Sequence, residues 1–181
     1  DNTELAQMKT AYKDFVAAFL PETPTQIGIV EFDTTTVAPV QGFTNNETTL
    51  NNRIDAALKA HRPTVVILEL GANDGLRGAN LEAIRANLEA ISDACRRANA
   101  RVLLVGIRLP PNYGMPYAEK FQDVFREVSR SRKLPLVPFL LDGFSDNRDV
   151  FQSDGIHPSA AAQPLMLDNV WKELRPLLKR Q

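Results

Sequence analysis

Two apolar runs separated by an amphipathic stretch constrain the fold of this 181-residue chain more than any other feature. Residues 64–70 (TVVILEL) and 101–107 (RVLLVGI) are near-continuous apolar segments, as expected of strands buried on both faces. Between them, Asn80 can cap a helix whose apolar residues recur three or four positions apart: Leu81, Ile84, Leu88, Ile91, Cys95 and Ala98. A buried strand, a helix and a second buried strand predict a parallel sheet covered by helices.

The same alternation continues to the C-terminus. Another helical stripe is formed by Phe121, Val124, Phe125 and Val128, and residues 134–141 predict a third strand. Pro135 and Pro138 indicate a sheet edge or the end of a strand. The last helix is expected to begin with Ser159 as its cap and to carry Leu165, Val170, Leu174 and Leu177. We therefore expect one α/β domain over residues 1–181, a three-layer α/β/α sandwich with a mainly parallel central sheet.

Composition excludes several classes of function. The chain has 21 Lys and Arg against 22 Asp and Glu, without a block of one sign, which argues against a nucleic-acid partner. A single cysteine excludes an intrachain disulfide and a cysteine-rich zinc site, and two histidines leave too few soft ligands for most catalytic zinc sites. We expect no metal and no other cofactor. No apolar run approaches the roughly 20 residues of a membrane span.

Two short polar segments are the candidates for chemistry. The segment GANDG (71–75) predicts a tight, Gly-flanked turn from which Asn73 can point its amide into a cleft as an oxyanion donor. On this segment alone, Asn and Gly residues that serve only the turn geometry are the favoured alternative. Asp154 precedes His157 by three residues, so its carboxylate can bind Nδ1 and leave Nε2 free as a general base. The structural alternative is a carboxylate at a helix start beside a surface histidine.

Three stretches, VVILELGANDGLRG (65–78), LLVGIRLPPNYG (103–114) and QSDGIHPSAAAQP (152–164), resemble the SGNH hydrolase superfamily. Within it they are most similar to the bacterial thioesterase I/protease I/lysophospholipase group, over residues 53–178. The resemblance implies a flavodoxin-like sandwich that hydrolyses carboxylic esters, acyl thioesters or lysophospholipids. It also implies a periplasmic or secreted protein, and a chain beginning at Asp1 is compatible with a cleaved leader. Separately, we expect a monomer.

Residue roles follow from the same resemblance. His157 is expected to be the general base, Asp154 its orienting partner and Asn73 an oxyanion-hole donor. The substrate is expected to contact Gly71, Asp74, Leu109, Pro110 and Ile156.

The first third of the chain departs from the family pattern. The family's nucleophilic Ser lies near the N-terminus, whereas this chain has no Ser before Ser92. Family spacing places Thr10 at the nucleophile position and Thr44 at the oxyanion Gly, as positional candidates only. Residues 4–55 instead resemble part of a von Willebrand factor A domain, through LAQMKTAYKDFVAAFLP (5–21) and TQIGIVEFDTTTVAPVQGF (25–43).

Three explanations of this departure stay open: a chimera, a diverged relative without its Ser, or a recorded N-terminal sequence that differs from that of the molecule. The functional alternative to a hydrolase is accordingly a catalytically dead chimera or an acyl-binding module.

Overall fold

The computed structural model describes residues 54–56, 58–59 and 62–178, with only the backbone of Pro111. Residues 54–56 and 58–59 are helical. The elements that follow are, in chain order, β1 (Val65–Leu68), α1 (Ala72–Leu76), α2 (Leu81–Arg97), β2 (Arg101–Val105), α3 (Met115–Arg132), β3 (Leu136–Val137) and α4 (Gln163–Leu178). Single 3-10 turns lie at Pro111–Tyr113, Arg148–Val150 and Ala160–Ala162.

The three strands form a parallel sheet in the order β1-β2-β3, which confirms the predicted α/β fold. Leu68 is paired with Leu104, and Val105 with Val137. Because all three strands run the same way, the loops after Leu68, Val105 and Val137 leave the sheet at one side, here called the carboxyl edge.

Strand β2 shows how the layers are built. Its alternate residues Val102 and Leu104 join a core that contains the buried residues of α2 and α3. Leu103 and Val105 point to the other face, where Leu174 of α4 packs. Since successive side chains of a strand face opposite ways, this alternation places helices on both faces of the sheet.

Helix α2 begins as its sequence predicts. The Asn80 Oδ1 accepts hydrogen bonds from the backbone N–H groups of Glu82 (2.8 Å) and Ala83 (3.3 Å). This N-cap satisfies donors that the first turn leaves unpaired. Four of the predicted stripe residues are buried, namely Ile84, Leu88, Ile91 and Cys95, whereas Ala98 is exposed beyond the end of the helix. Burial raises the pKa of the Cys95 thiol to about 11, which suits its predicted role as a core residue.

Two details differ from prediction. The third strand is only Leu136–Val137, because the flanking Pro135 and Pro138 have no N–H to donate to a ladder. After Ser159 the chain first forms the 3-10 turn Ala160–Ala162, the Ser159 hydroxyl makes no capping bond, and α4 begins at Gln163. Leu165, predicted to face the core, is 38% exposed.

Gly106 is needed where β2 meets β3, and its replacement is a test of this packing. A Cβ at this position would lie 2.5 Å from the carbonyl oxygen of Pro138 and 3.0 Å from that of Val137. Both obstacles are backbone atoms and cannot rotate away. We expect Gly106→Ala to lower the free energy of unfolding, measured in urea, by about 2 kcal/mol or more.

Gly143→Ala is the matched control for this prediction. Gly143 has a φ of +83°, but no atom lies within 4 Å of an added Cβ. This variant should therefore lose only the roughly 1 kcal/mol of a left-handed non-glycine residue. Equal losses in the two variants would contradict the proposed steric clash at Gly106.

Candidate active site

The loop at residues 151–158 holds the second polar segment. It is closed at its base by an antiparallel bridge between Phe151 and Pro158, and the Gln152 N–H donates to the His157 carbonyl at 2.8 Å. Inside the loop, the Gly155 N–H donates to the Gln152 carbonyl at 2.9 Å, with Gly155 in the left-handed region at a φ of +68°. These bonds bring Asp154 and His157 to the same side of a small, defined loop.

Asp154 and His157 form the hydrogen-bonded pair that their spacing allows. The His157 Nδ1 lies 2.6 Å from the Asp154 Oδ2, while the Asp154 Oδ1 accepts from the N–H groups of Ile156 (2.9 Å) and His157 (3.0 Å). The imidazole bond, followed by the two backbone bonds, holds the pKa of Asp154 below its ordinary value. A carboxylate that stays ionised fixes Nδ1 as the protonated nitrogen, which leaves Nε2 as the basic one.

Asn73 lies on the short helix α1, not on the tight turn that the sequence predicts. Gly71, with a φ of +106°, reverses the chain after β1, and α1 then begins at Ala72. Asn73 is exposed, and its side chain hydrogen-bonds to nothing else that the structure describes. The turn prediction was wrong because Gly75 adopts helical geometry and packs under α3, instead of closing a turn.

Gly75 sets the distance between α1 and α3. A Cβ on Gly75 would lie 2.6 Å from Cε2 of Phe121 and 2.9 Å from Cδ2 of Leu109. The buried glycine therefore lets the helix backbone sit directly against these two side chains. Leu109, predicted to contact the substrate, is buried in the core here, and its substrate contact stays a prediction.

The remaining predicted contact residues surround these segments. Asp74 is half-buried, and burial raises the pKa of its carboxyl while the Arg77 charge opposes that shift. Pro110 is half-buried, and Ile156, between Asp154 and His157, is 50% exposed. Their contacts with a substrate, and that of Gly71, stay predictions.

Tyr117, which bonds to the chain shortly after α1, is a residue that the sequence analysis did not single out. Its hydroxyl donates to the Ala79 carbonyl at 2.8 Å, three residues beyond the end of α1. Burial and the Asp74 charge both raise the pKa of this phenol, so it keeps its proton. The available signal was its position four residues before Phe121, on the inward stripe of α3.

Two groups of candidate residues directly follow the carboxyl ends of strands: Asn73 and Asp74 come after β1, and Leu109 and Pro110 after β2. The 151–158 loop comes later in the chain, beyond β3 and the 3-10 turn at Arg148–Val150. Ligands of open α/β sheets bind at this edge. Thr10 and Thr44, the positional candidates for the nucleophile and for a second oxyanion donor, lie outside the described residues.

The serine hydroxyls of the described region are not bonded to His157. Those of Ser92, Ser129 and Ser131 donate elsewhere: to the carbonyls of Leu88 and Leu134, and to the Glu89 carboxylate. No hydrogen bond joins the other three serines to the imidazole. Within the part of the chain that the structure describes, the His157–Asp154 pair thus has no serine hydroxyl bonded to its imidazole.

The described residues form neither a metal site nor a membrane-spanning helix. Within the described ranges, no group of three or more His, Cys, Asp or Glu side chains could hold a metal ion, and no helix is long and apolar enough to cross a membrane. A surface cavity beside α2 contains none of the predicted site residues; it is lined by Asp55, Leu58, Lys59, Arg62, Ala94, Arg97 and Ala98.

Comparison with known proteins identifies the family. The sequence profile of the GDSL-like lipase/acylhydrolase family matches residues 7–164, most of the chain. The chain belongs to this family. The match confirms the SGNH hydrolase resemblance, and it includes much of the segment in which the nucleophilic Ser is missing.

Two curated relatives of this GDSL-like chain are bacterial enzymes. Esterase TesA of Pseudomonas aeruginosa is 47% identical over 126 residues, which is 70% of this chain and 63% of TesA. Thioesterase 1/protease 1/lysophospholipase L1 of Escherichia coli K12 is 40% identical over 126 residues, covering 70% of this chain and 61% of that protein. The chain thus matches a little under two thirds of the length of each.

The fold is also similar to that of a solved esterase structure, over nearly the whole chain. The psychrotrophic esterase EstA from Pseudoalteromonas sp., in a structure inhibited by monoethylphosphonate, is 30% identical with a TM-score of 0.73. The alignment covers 96% of this GDSL-like chain and 88% of EstA.

Proposed function

We propose that this protein hydrolyses carboxylic esters, acyl thioesters or lysophospholipids through an acyl-enzyme. The observation that carries the proposal is the His157–Asp154 pair, with its 2.6 Å bond to Nδ1, in the closed 151–158 loop. The names of the relatives support the substrate class, since they are called an esterase and a thioesterase/protease/lysophospholipase.

The proposed reaction assigns one step to each residue. The Nε2 of His157 accepts the proton of a hydroxyl as that oxygen attacks the acyl carbonyl, and Asp154 stabilises the imidazolium that forms. The side-chain amide of Asn73 donates to the developing oxyanion. His157 then protonates the leaving group, and a water deprotonated by His157 hydrolyses the acyl-enzyme.

The mechanism also needs a residue that supplies the attacking hydroxyl. Thr10 is the family-placed candidate, and its extra methyl makes it a more hindered nucleophile than Ser. Thr44 is the positional candidate for the second oxyanion donor.

The second candidate function is an acyl-binding module without turnover. It is favoured by the absence of any Ser before Ser92, and by the three serines whose hydroxyls are bonded to a backbone carbonyl or to the Glu89 carboxylate. In this case the edge that carries Asn73 and His157 binds an acyl group, and no covalent intermediate forms.

A reactive organophosphonate distinguishes the two functions. For a hydrolase we expect one covalent adduct in the intact-mass spectrum, no adduct with His157→Ala, and labelling of Asn73→Ala slowed by about a hundred- to a thousand-fold. Peptide sequencing of the adduct identifies the nucleophile. A protein that binds a fatty-acid probe but takes no label is an acyl-binding module, and that result overturns the hydrolase proposal.

The proposed setting rests on family resemblance alone. We propose a monomer in the periplasm or outside the cell that acts on a small-molecule ester or lipid. Size-exclusion chromatography with light scattering tests the monomer, and fractionation of the source cells tests the location.

A further inference from the structure

We infer that Tyr117 is a positioning residue that holds Asn73 in place through the Ala79 carbonyl; this inference rests on the proposed role of Asn73 as an oxyanion donor. Tyr117 lies on α3, whereas Asn73 and Ala79 lie on the segment of residues 71–79, here called the 71–79 segment. The Tyr117 hydroxyl reaches this segment at 2.8 Å. No catalytic contact is assigned to Tyr117 itself.

The 71–79 segment needs support from outside. Its helix α1 has five residues, and helices of this length have little stability of their own. Within the segment, the Gly75 N–H donates to the Gly71 carbonyl at 2.9 Å and the Ala79 N–H to the Asp74 carbonyl at 3.0 Å. These bonds shape the segment, but they do not tie it to the sheet or to α3.

Helix α3 supplies two attachments from one face. Phe121 packs under Gly75 at the middle of the segment, and Tyr117, one turn earlier, bonds to Ala79 at its end. This apolar packing, to which Leu109, Leu76 and Ala79 also contribute, holds the segment against the core but has no directional bond. The hydrogen bond fixes the second point, so the pair sets the direction in which Asn73 leaves the backbone.

The geometry has a kinetic consequence. An oxyanion donor acts on charge that develops only in the transition state, so misplacing it lowers kcat and leaves KM nearly unchanged. Tyr117→Phe removes one oxygen and keeps the ring that packs in the core. We expect this variant to lose about three- to ten-fold in kcat, because one neutral hydrogen bond of ordinary net strength is lost.

The control is Tyr113→Phe. Tyr113 is exposed, and its hydroxyl forms no hydrogen bond with the described residues, so the same chemical change there should leave kcat and KM at wild-type values. A urea titration of both variants measures any loss of global stability separately.

A double-mutant cycle separates positioning of Asn73 from a general structural role. In an Asn73→Ala background there is no amide left to position, so Tyr117→Phe should cause no further loss of kcat. If Tyr117→Phe slows the Asn73→Ala enzyme by the same factor as it slows the wild type, the inference is wrong. Unchanged kcat in the single variant overturns it as well.

Hydrogen exchange keeps the test independent of turnover. We expect the amides of the 71–79 segment to exchange faster in Tyr117→Phe than in Tyr113→Phe, with the rest of α2 and α3 unchanged. If the wild type hydrolyses no ester and takes no phosphonate label, the proposed function fails. The exchange rates then test the role of Tyr117 by themselves. Equal rates in the two variants show that Tyr117 does not hold the 71–79 segment, and faster exchange in Tyr117→Phe shows that it does.

Discussion

Replacing His157 with alanine is expected to lower the turnover of p-nitrophenyl esters about a million-fold, to the residual level left by oxyanion stabilisation and binding. The imidazole is the only described side chain bonded to Asp154, so no neighbour can take over the proton. The fold should survive, because the His157 side chain is 69% exposed and its backbone bonds within the 151–158 loop do not involve the ring. Steady-state rates and a urea titration of the same preparation measure the two effects.

Ser153→Ala is the matched control, since Ser153 is an exposed residue of the same loop. It should keep wild-type turnover. Thr10→Ala completes the comparison: if it leaves hydrolysis unchanged while His157→Ala abolishes it, Thr10 is not the nucleophile. A His157→Ala protein that kept most of its activity would exclude His157 as the general base.

The features that the sequence predicted correctly are those that depend on residues close together in the chain. Asn80 caps α2 because its side chain reaches N–H groups two and three residues on, and Asp154 meets His157 across the same short distance. The apolar run at residues 101–107 predicted β2, because a strand between two layers of helices has no solvent-exposed face. Each of these patterns is contained in a few consecutive residues.

The features that sequence missed depend on contacts between distant segments. Tyr117 and Ala79 are 38 residues apart in the sequence, and no local pattern around either residue predicts their hydrogen bond. The helical geometry of residues 72–76 likewise depends on the fit of Gly75 against Phe121, so local turn chemistry predicted it wrongly. The sequence predicted that Pro135 and Pro138 would limit the third strand, but not that only Leu136–Val137 would remain in it.

Asp154→Asn is expected to lower turnover about ten-thousand-fold with little change in KM. An asparagine is close in shape to aspartate but carries no charge, so it cannot stabilise the imidazolium. Its amide can also donate to Nδ1, which would leave the proton on Nε2, where the base is needed. A loss much smaller than that of His157→Ala but far above that of Ser153→Ala supports the orienting role, and wild-type turnover would exclude it.

The same variant carries a signed prediction for stability against pH. Hydrogen bonds from His157 and Ile156 lower the pKa of Asp154 in the folded state, so its carboxylate stabilises the fold at any pH above its unfolded pKa of about 4. That contribution is lost as the pH falls from there toward the folded pKa. The difference in unfolding free energy between wild type and Asp154→Asn should therefore shrink as the pH falls below about 4. Urea titrations between about pH 5 and pH 2 measure it, and a difference that instead grew as the pH fell below about 4 would show that the carboxylate is not held in its ionised form by this loop.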